Sequence, residues 1–296
     1  MGPELGVINR SMNMLRVSLL RLLFALMLVF ASVLFLTAQS IVQAAEARVA
    51  VASNFMPSMR VLVEHFEQLE HSAPYKIKLA QGSSGKFVAQ IKNGAPFDLF
   101  FSADSHKVEV LKHAGLIVSD SEWTYAIGRL VLITNQWLNQ QSSQSNKSNK
   151  KYFSQGQNVL LRLEKTAFNK IAIANPELAP YGKAAKQTLK KMGLLEKTQD
   201  HWVQGENIAQ TYQFVHSGNA DLGFIALAQL NQDQRTQQIE QSSIWIVPEN
   251  YHEPIIQKAA LLKRAKRNEA AIAFLNFVQS VAGRRVIESF SYKTLP

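Results

Sequence analysis

Val51-Ala52-Ser53-Asn54-Phe55 and Gln81-Gly82-Ser83-Ser84-Gly85 are two short polar turns, each preceded by a strand-like apolar run and followed by an amphipathic segment. A helix start leaves its first N–H groups without intrahelical partners and carries the positive end of the helix dipole. Two such starts side by side make a cradle for an anion. The repeated order of strand, turn and helix is that of an α/β fold, each sheet mostly parallel and flanked by helices.

Working outward, Arg48 to Ala52 is predicted as the first strand. Pro57 opens a helix that sets Met59, Leu62, Val63, Phe66 and Leu69 on one face. Ile77 to Ala80 is the second strand, followed by a helix burying Phe87, Val88 and Ile91 and stopped at Gly94. Asp98 to Phe101 is the third strand, and a helix from Ser105 to Ala114 is ended by Gly115. A second unit of the same kind begins with a strand over Ile171 to Ala174. It continues through a Pro-punctuated loop from Asn175 to Gly182 and a helix from Lys183 to Met192 closed by Gly193. Trp202-Val203 precedes another helix start at Asn207-Ile208, with Ile208, Thr211, Tyr212 and Val215 on one face, and Leu222 to Ala226 is the next strand. Near the end, Ala271, Ile272, Leu275 and Val278 recur at helical spacing.

Two extended apolar segments, Tyr125 to Ile133 and Ser243 to Pro248, are suited to cross between the units. A double crossing makes a hinge, and it divides the chain into lobe I (46–126 with 246–296) and lobe II (127–245). The stretch 139–158, rich in Gln, Ser, Asn and Lys, cannot bury a core and reads as a surface loop.

Residues 1–45 read as an export signal. Arg10, Arg16 and Arg21 precede the apolar run Leu22 to Leu36, and Val42-Gln43-Ala44 is a small-residue cleavage site, with the cut after Ala44 or Ala45. A membrane anchor is the alternative, but a run of about fifteen residues is short for a span. About 250 residues remain, enough for two lobes of about 120 each. The chain has no cysteine, which excludes disulfides, thiolate metal sites, a cysteine nucleophile and lipid attachment at a cysteine. Of the net charge of +10, three arginines against Glu4 account for +2 before the cut, leaving +8. The basic clusters at Lys147 to Lys151 and Lys263 to Arg267 lack the interleaved aromatics of a nucleic-acid surface and read as solvated faces.

In open α/β sheets a ligand sits beyond the carboxyl ends of the strands. That rule selects Ser53-Asn54, Ser83-Ser84, Tyr181-Gly182 and Asn207-Ile208. Taken singly, the serines are helix caps and Tyr181 and Ile208 are packing residues. Taken together, they are neutral donors facing one cleft, with Lys86 one residue past the turn, and they suit a small anion from which no proton need be accepted. The seven histidines show no triad or ligand spacing, and His106 and His113, seven apart, read as surface residues. Asp98 is placed at a strand and Asp104 at a helix cap, so no catalytic residue is assigned. A secreted hydrolase or transferase acting on an anionic substrate is the alternative from another class.

The chain resembles the periplasmic molybdate-binding proteins of molybdate uptake systems over essentially residues 47–296. The resemblance rests on Ala52-Ser53-Asn54-Phe55, Gly82-Ser83-Ser84-Gly85, the run Ile91 to Asp104, Asn175-Pro176 with Pro180-Tyr181-Gly182, and Gly205-Glu206-Asn207-Ile208 with Ala220 to Phe224. It implies a two-lobed, type II periplasmic-binding-protein fold that closes on a tetrahedral oxyanion, molybdate or tungstate, with no other cofactor. It also implies a monomer in the periplasm that delivers its ligand to an inner-membrane ABC permease. Carried over by position, Ser53 gives its hydroxyl, Asn54 a donor, Ser84 its hydroxyl and N–H, and Tyr181 and Ile208 their backbone N–H groups. Where some members carry a ligand-contacting tyrosine, this chain has Ala226, so Tyr181 or Asn54 takes over that contact. Sulfate or another tetrahedral oxyanion is the alternative ligand.

Overall fold

The computed structural model describes residues 45–69, 72, 74–134, 157–232 and 243–295, together with 23, 24, 26 and 27. The segment read as an export signal, apart from those four positions and Ala45, lies outside the described residues, as do residues 139–156 of the polar stretch. Ala44–Pro296 makes up one compact unit.

Two five-stranded mixed sheets form the frame of this unit. In the first, β1 (Ala45–Ala52) lies between β2 (Tyr75–Gly82) and β3 (Leu99–Ser102), all parallel; β10 (Ile255–Leu261) runs antiparallel between β3 and the edge strand β4 (Trp123–Gly128). The second repeats the pattern. There β6 (Ile171–Ala174) lies between β7 (Trp202–Gly205) and β8 (Leu222–Ala226), and β5 (Leu130–Thr134) runs antiparallel between β8 and the edge strand β9 (Ile244–Ile246). The edge strand of each sheet therefore feeds directly into the inner antiparallel strand of the other. The chain leaves the first sheet after Gly128 and re-enters it at Ile255. An ion pair between Arg129 and Glu249, 3.3 Å apart, ties the two crossing segments together.

Both faces of each sheet are covered, which is why the strands read as continuous apolar runs. Val49, Val51, Leu99 and Phe101 pack against α1 (Met56–Glu67) and α8 (Glu269–Gln279), whereas Ala50 and Phe100 point to the opposite face, under α2 (Ser84–Lys92) and α3 (Ser105–His113). In the second sheet Ile171, Ile173, Leu222 and Phe224 pack with α4 (Gln157–Glu164) and α5 (Pro180–Lys191), and Ala172 and Ile225 with Val215 of α7 (Ile208–His216). The short α6 (Leu195–Gln199) follows α5, and α9 (Val281–Ser289) follows α8. Gly115 and Gly193 end their helices with φ of 67° and 69°, a conformation that a side chain would strain.

The strands run longer than the apolar runs suggest. β1 begins at Ala45 because its pairing with β2 extends to Tyr75, through Ala45, Glu46 and Ala47, which carry little hydrophobic signal. α5 starts at Pro180, three residues before the predicted Lys183, with the proline in the first turn where its missing N–H costs nothing. The return crossing spans residues 247–254, since Ile244–Ile246 still pairs with β5. Gln157 and Asn158, predicted as loop, open α4. β10, α4, α6 and α9 carry no counterpart in the sequence reading.

Candidate functional site

The carboxyl ends of β1, β2, β6 and β7 face one another across the gap between the sheets. One cavity there is lined by Ala52, Ser53, Asn54, Gly82, Ser83, Ser84, Ala103, Ala179, Pro180, Tyr181 and Ile208. All five sequence-predicted residues, Ser53, Asn54, Ser84, Tyr181 and Ile208, are thus brought together, and none is more than 4% exposed. None of the lining side chains is ionisable at neutral pH.

The helix starts around this cavity are left open. α1, α2 and α5 begin at Phe55, Ser83 and Ala179 without any side-chain cap, so the serines do not play the capping part that an isolated helix-start serine usually does. α7 differs: Asn207 caps it by accepting from the N–H groups of Ala209 and Gln210, which leaves out Ile208. Among the described residues, the backbone N–H groups of Asn54, Ser84, Tyr181 and Ile208 have no protein partner. The Ser53 N–H, by contrast, is tied to the Gly82 carbonyl at 2.9 Å, so Ser53 can offer its hydroxyl. The Ser84 hydroxyl accepts from the Ala103 N–H at 3.0 Å, which orients it and leaves its hydrogen available. Four N–H groups and the serine hydroxyls, with no carboxylate, imidazole or amine among the lining side chains, can bind an anion.

Asn54 contributes differently from what its side chain suggests. Its amide donates to Gln257 Oε1 at 2.8 Å and to the Tyr292 hydroxyl at 2.9 Å, so both hydrogens are engaged within the first lobe. Tyr292 returns a bond to the Asn54 carbonyl at 2.9 Å. What Asn54 presents to the cavity is its N–H. Burial pushes the phenols of Tyr125, Tyr181 and Tyr292 up, so all three stay neutral beneath the site.

The two lobes touch around the cavity. Gly85 donates its N–H to the Leu178 carbonyl at 3.1 Å, and Lys86 pairs with Glu206 at 2.5 Å. Gln257, fully buried in β10, donates to the Tyr181 hydroxyl at 3.3 Å. Sequence reasoning missed Gln257, Tyr125, Tyr292 and the role of Glu206; a lone glutamine inside Ile255-Ile256-Gln257-Lys258-Ala259-Ala260-Leu261 was the available signal. Ala226 ends β8 fully buried, its N–H held by Gln229 Oε1 at 2.9 Å. His106 and His113 lie exposed on α3, and Asp104 caps that helix by accepting from the His106 N–H. Asp98 lies just before β3 rather than in it, where it accepts from the Arg48 N–H at 2.8 Å.

A family model described as bacterial extracellular solute-binding protein matches residues 47–293. The chain belongs to that family. Among similar solute-binding proteins is the molybdate-binding protein ModA of Azotobacter vinelandii, 40% identical over 250 residues, covering 84% of this chain and 90% of the relative. The molybdate-binding protein ModA of Rhodobacter capsulatus is 34% identical, covering 85% and 89%. A solved structure, the periplasmic molybdate-binding protein of Azotobacter vinelandii, superposes with a TM-score of 0.72 at 33% identity, covering 84% of this chain and 99% of that one.

Proposed function

We propose that the protein is a periplasmic receptor that captures molybdate, and tungstate with it, between its lobes and hands it to an ABC permease. It is exported by a signal cut just before or within the start of β1, acts as a monomer and catalyses no reaction. The first lobe comprises residues 45–128 and 255–295, the second 130–246, and they close on the ligand about the two crossings. Ser53, Asn54, Ser84, Tyr181 and Ile208 are its ligand residues.

The observation that carries this reading is the convergence of four partnerless N–H groups and the hydroxyls of Ser53, Ser83 and Ser84 from both lobes on one cavity without a carboxylate. Molybdate and tungstate are fully deprotonated dianions at neutral pH, so every oxygen can accept. Monohydrogen phosphate keeps a proton for which the cavity offers no carboxylate, only serine hydroxyls that are needed as donors, at a cost of about 1–3 kcal/mol. Sulfate matches in charge, so only its smaller size and its correspondingly longer hydrogen bonds separate it. The names of the two curated relatives point to the same ligand.

Isothermal titration of the purified mature protein tests this. Molybdate and tungstate are expected to bind together and sulfate well below them. The unpaired proton is expected to leave phosphate at least about tenfold to a hundredfold weaker. Sulfate binding as tightly as molybdate would overturn the molybdate assignment and leave the oxyanion receptor standing.

A further inference from the structure

Tyr181 belongs to both halves of the cleft. Its N–H borders the cavity from the second lobe, while its phenol reaches into the first. There the hydroxyl lies 3.3 Å from Gln257 Nε2 and packs so close to Gly128 that a Cβ on that glycine would lie 2.1 Å from it. Only glycine at the first crossing leaves this space. At the other end of the same amide, Gln257 Oε1 accepts from Asn54 Nδ2 at 2.8 Å and from the Tyr125 hydroxyl at 3.0 Å. Asn54 in turn carries one of the N–H groups at the cavity.

Resting on the oxyanion reading, we propose that Gln257 is the positioning residue that sets the two halves of the site in register. Its carbonyl end holds the first lobe's turn through Asn54, and its NH2 end receives the second lobe's Tyr181 only when the lobes meet. With the cleft open, Tyr181 withdraws and the NH2 group turns to water; on closing, the phenol replaces that water. The chemistry asks for glutamine. One side chain must accept from Asn54 and donate to Tyr181. Glutamate would place a negative charge beneath a dianion, and lysine would offer Asn54 no acceptor. Two phenols and two amides do the work without adding charge.

The test uses the mature protein with sodium molybdate as probe. Tyr181→Phe keeps the N–H at the cavity and removes the phenol's bonds to the first lobe, that to Gln257 and those to Asn54 and Tyr292. Stopped-flow kinetics are expected to show dissociation about two- to tenfold faster, the worth of one neutral hydrogen bond, with association unchanged. Gln257→Leu removes both ends and is expected to speed dissociation further and to slow association, because the Asn54 turn loses its support. Unchanged dissociation in Tyr181→Phe overturns the proposal, whether or not Gln257→Leu folds. A second measurement needs no ligand. The chain has no cysteine, so spin labels at His113→Cys and Lys190→Cys, one exposed site on each lobe, report lobe separation alone. Tyr181→Phe and Gln257→Leu are each expected to deplete the short, closed-cleft distances of the ligand-free protein, and distributions identical to that of the unsubstituted pair overturn the link. If the parent protein binds no molybdate, the ligand assignment fails while the distances in Gln257→Leu still decide the role of Gln257.

Discussion

Gly85 approaches Leu178 so closely that a Cβ on the glycine would lie 3.1 Å from the Leu178 carbonyl oxygen and 3.2 Å from its Cα. The contact joins the first turn of α2 to the loop before α5, at the rim of the cavity. It exists only while the lobes are together, so its loss separates closure from folding.

Gly85→Ala is accordingly expected to act in two directions. Within a helix, alanine is favoured over glycine by up to about 1 kcal/mol, so the thermal midpoint of the ligand-free protein should hold or rise. Affinity for molybdate should fall by about tenfold, since about 1.4 kcal/mol of lost closure is that much in binding. Calorimetry of folding and of binding on the same sample checks both, and an unchanged affinity would show that the lobes need not come this close.

Ser84→Ala should weaken molybdate binding far more than Ser83→Ala. The Ser84 hydroxyl is oriented by the Ala103 N–H, whereas nothing in the protein orients the Ser83 hydroxyl, which lies buried at the cavity without a partner. A hydrogen bond to a charged partner is worth about 1.5–3 kcal/mol, or roughly ten- to a hundredfold in affinity. Equal losses in titration would mean that Ser83 supplies the ligand hydroxyl.

The Lys86–Glu206 pair spans the mouth of the cleft with both side chains about half exposed, 50% and 49%. Water and salt screen such a pair, so Glu206→Gln is expected to speed dissociation by no more than about threefold at low ionic strength. The difference should vanish near molar salt. A large, salt-independent effect would place Glu206 at the ligand rather than at the rim.

Acid should find one weak point on the first lobe away from the site. The hydrogen bond from Lys112 holds the Glu122 carboxyl below its ordinary 4.5. A carboxyl depressed by folding adds stability above the unfolded value and loses it as the pH falls through the folded one. Glu122→Gln should therefore lower the thermal midpoint by about 2 °C at pH 7, the scale of one partly exposed pair, and by progressively less as the pH falls below 4.5. A gap that does not shrink on acidification would point to packing instead.

Much of the frame was legible in the sequence because it is written locally. Ile171–Ala174 and Leu222–Ala226 are apolar runs that match their strands, and the glycines after α2, α3 and α5 mark where those helices stop. The cavity lining was also legible, since each turn falls where a strand gives way to a helix. The layer beneath was not. Asn54 meets Gln257 and Tyr292 across 203 and 238 residues, and no window of sequence contains such a pair. β10 was hidden for a related reason: its seven residues hold a glutamine and a lysine, the first wanted inside by Asn54 and the second pairing with Glu109 at 2.8 Å. The position of Pro180 did signal the start of α5, but the neighbouring Pro176 gave the stretch the look of a loop.

The exchange of inner strands between the sheets bears on how the chain comes to its final shape. Synthesis delivers β1 to β4 first, yet the place between β3 and β4 is filled by β10, which emerges more than a hundred residues later, after the whole second sheet. The earliest-made part is therefore the last to be completed. Half-built, it offers an unfinished ladder and exposed apolar faces instead of a stable domain. For the exported receptor proposed above, that delay keeps the first lobe unfinished until almost all of the chain has been made.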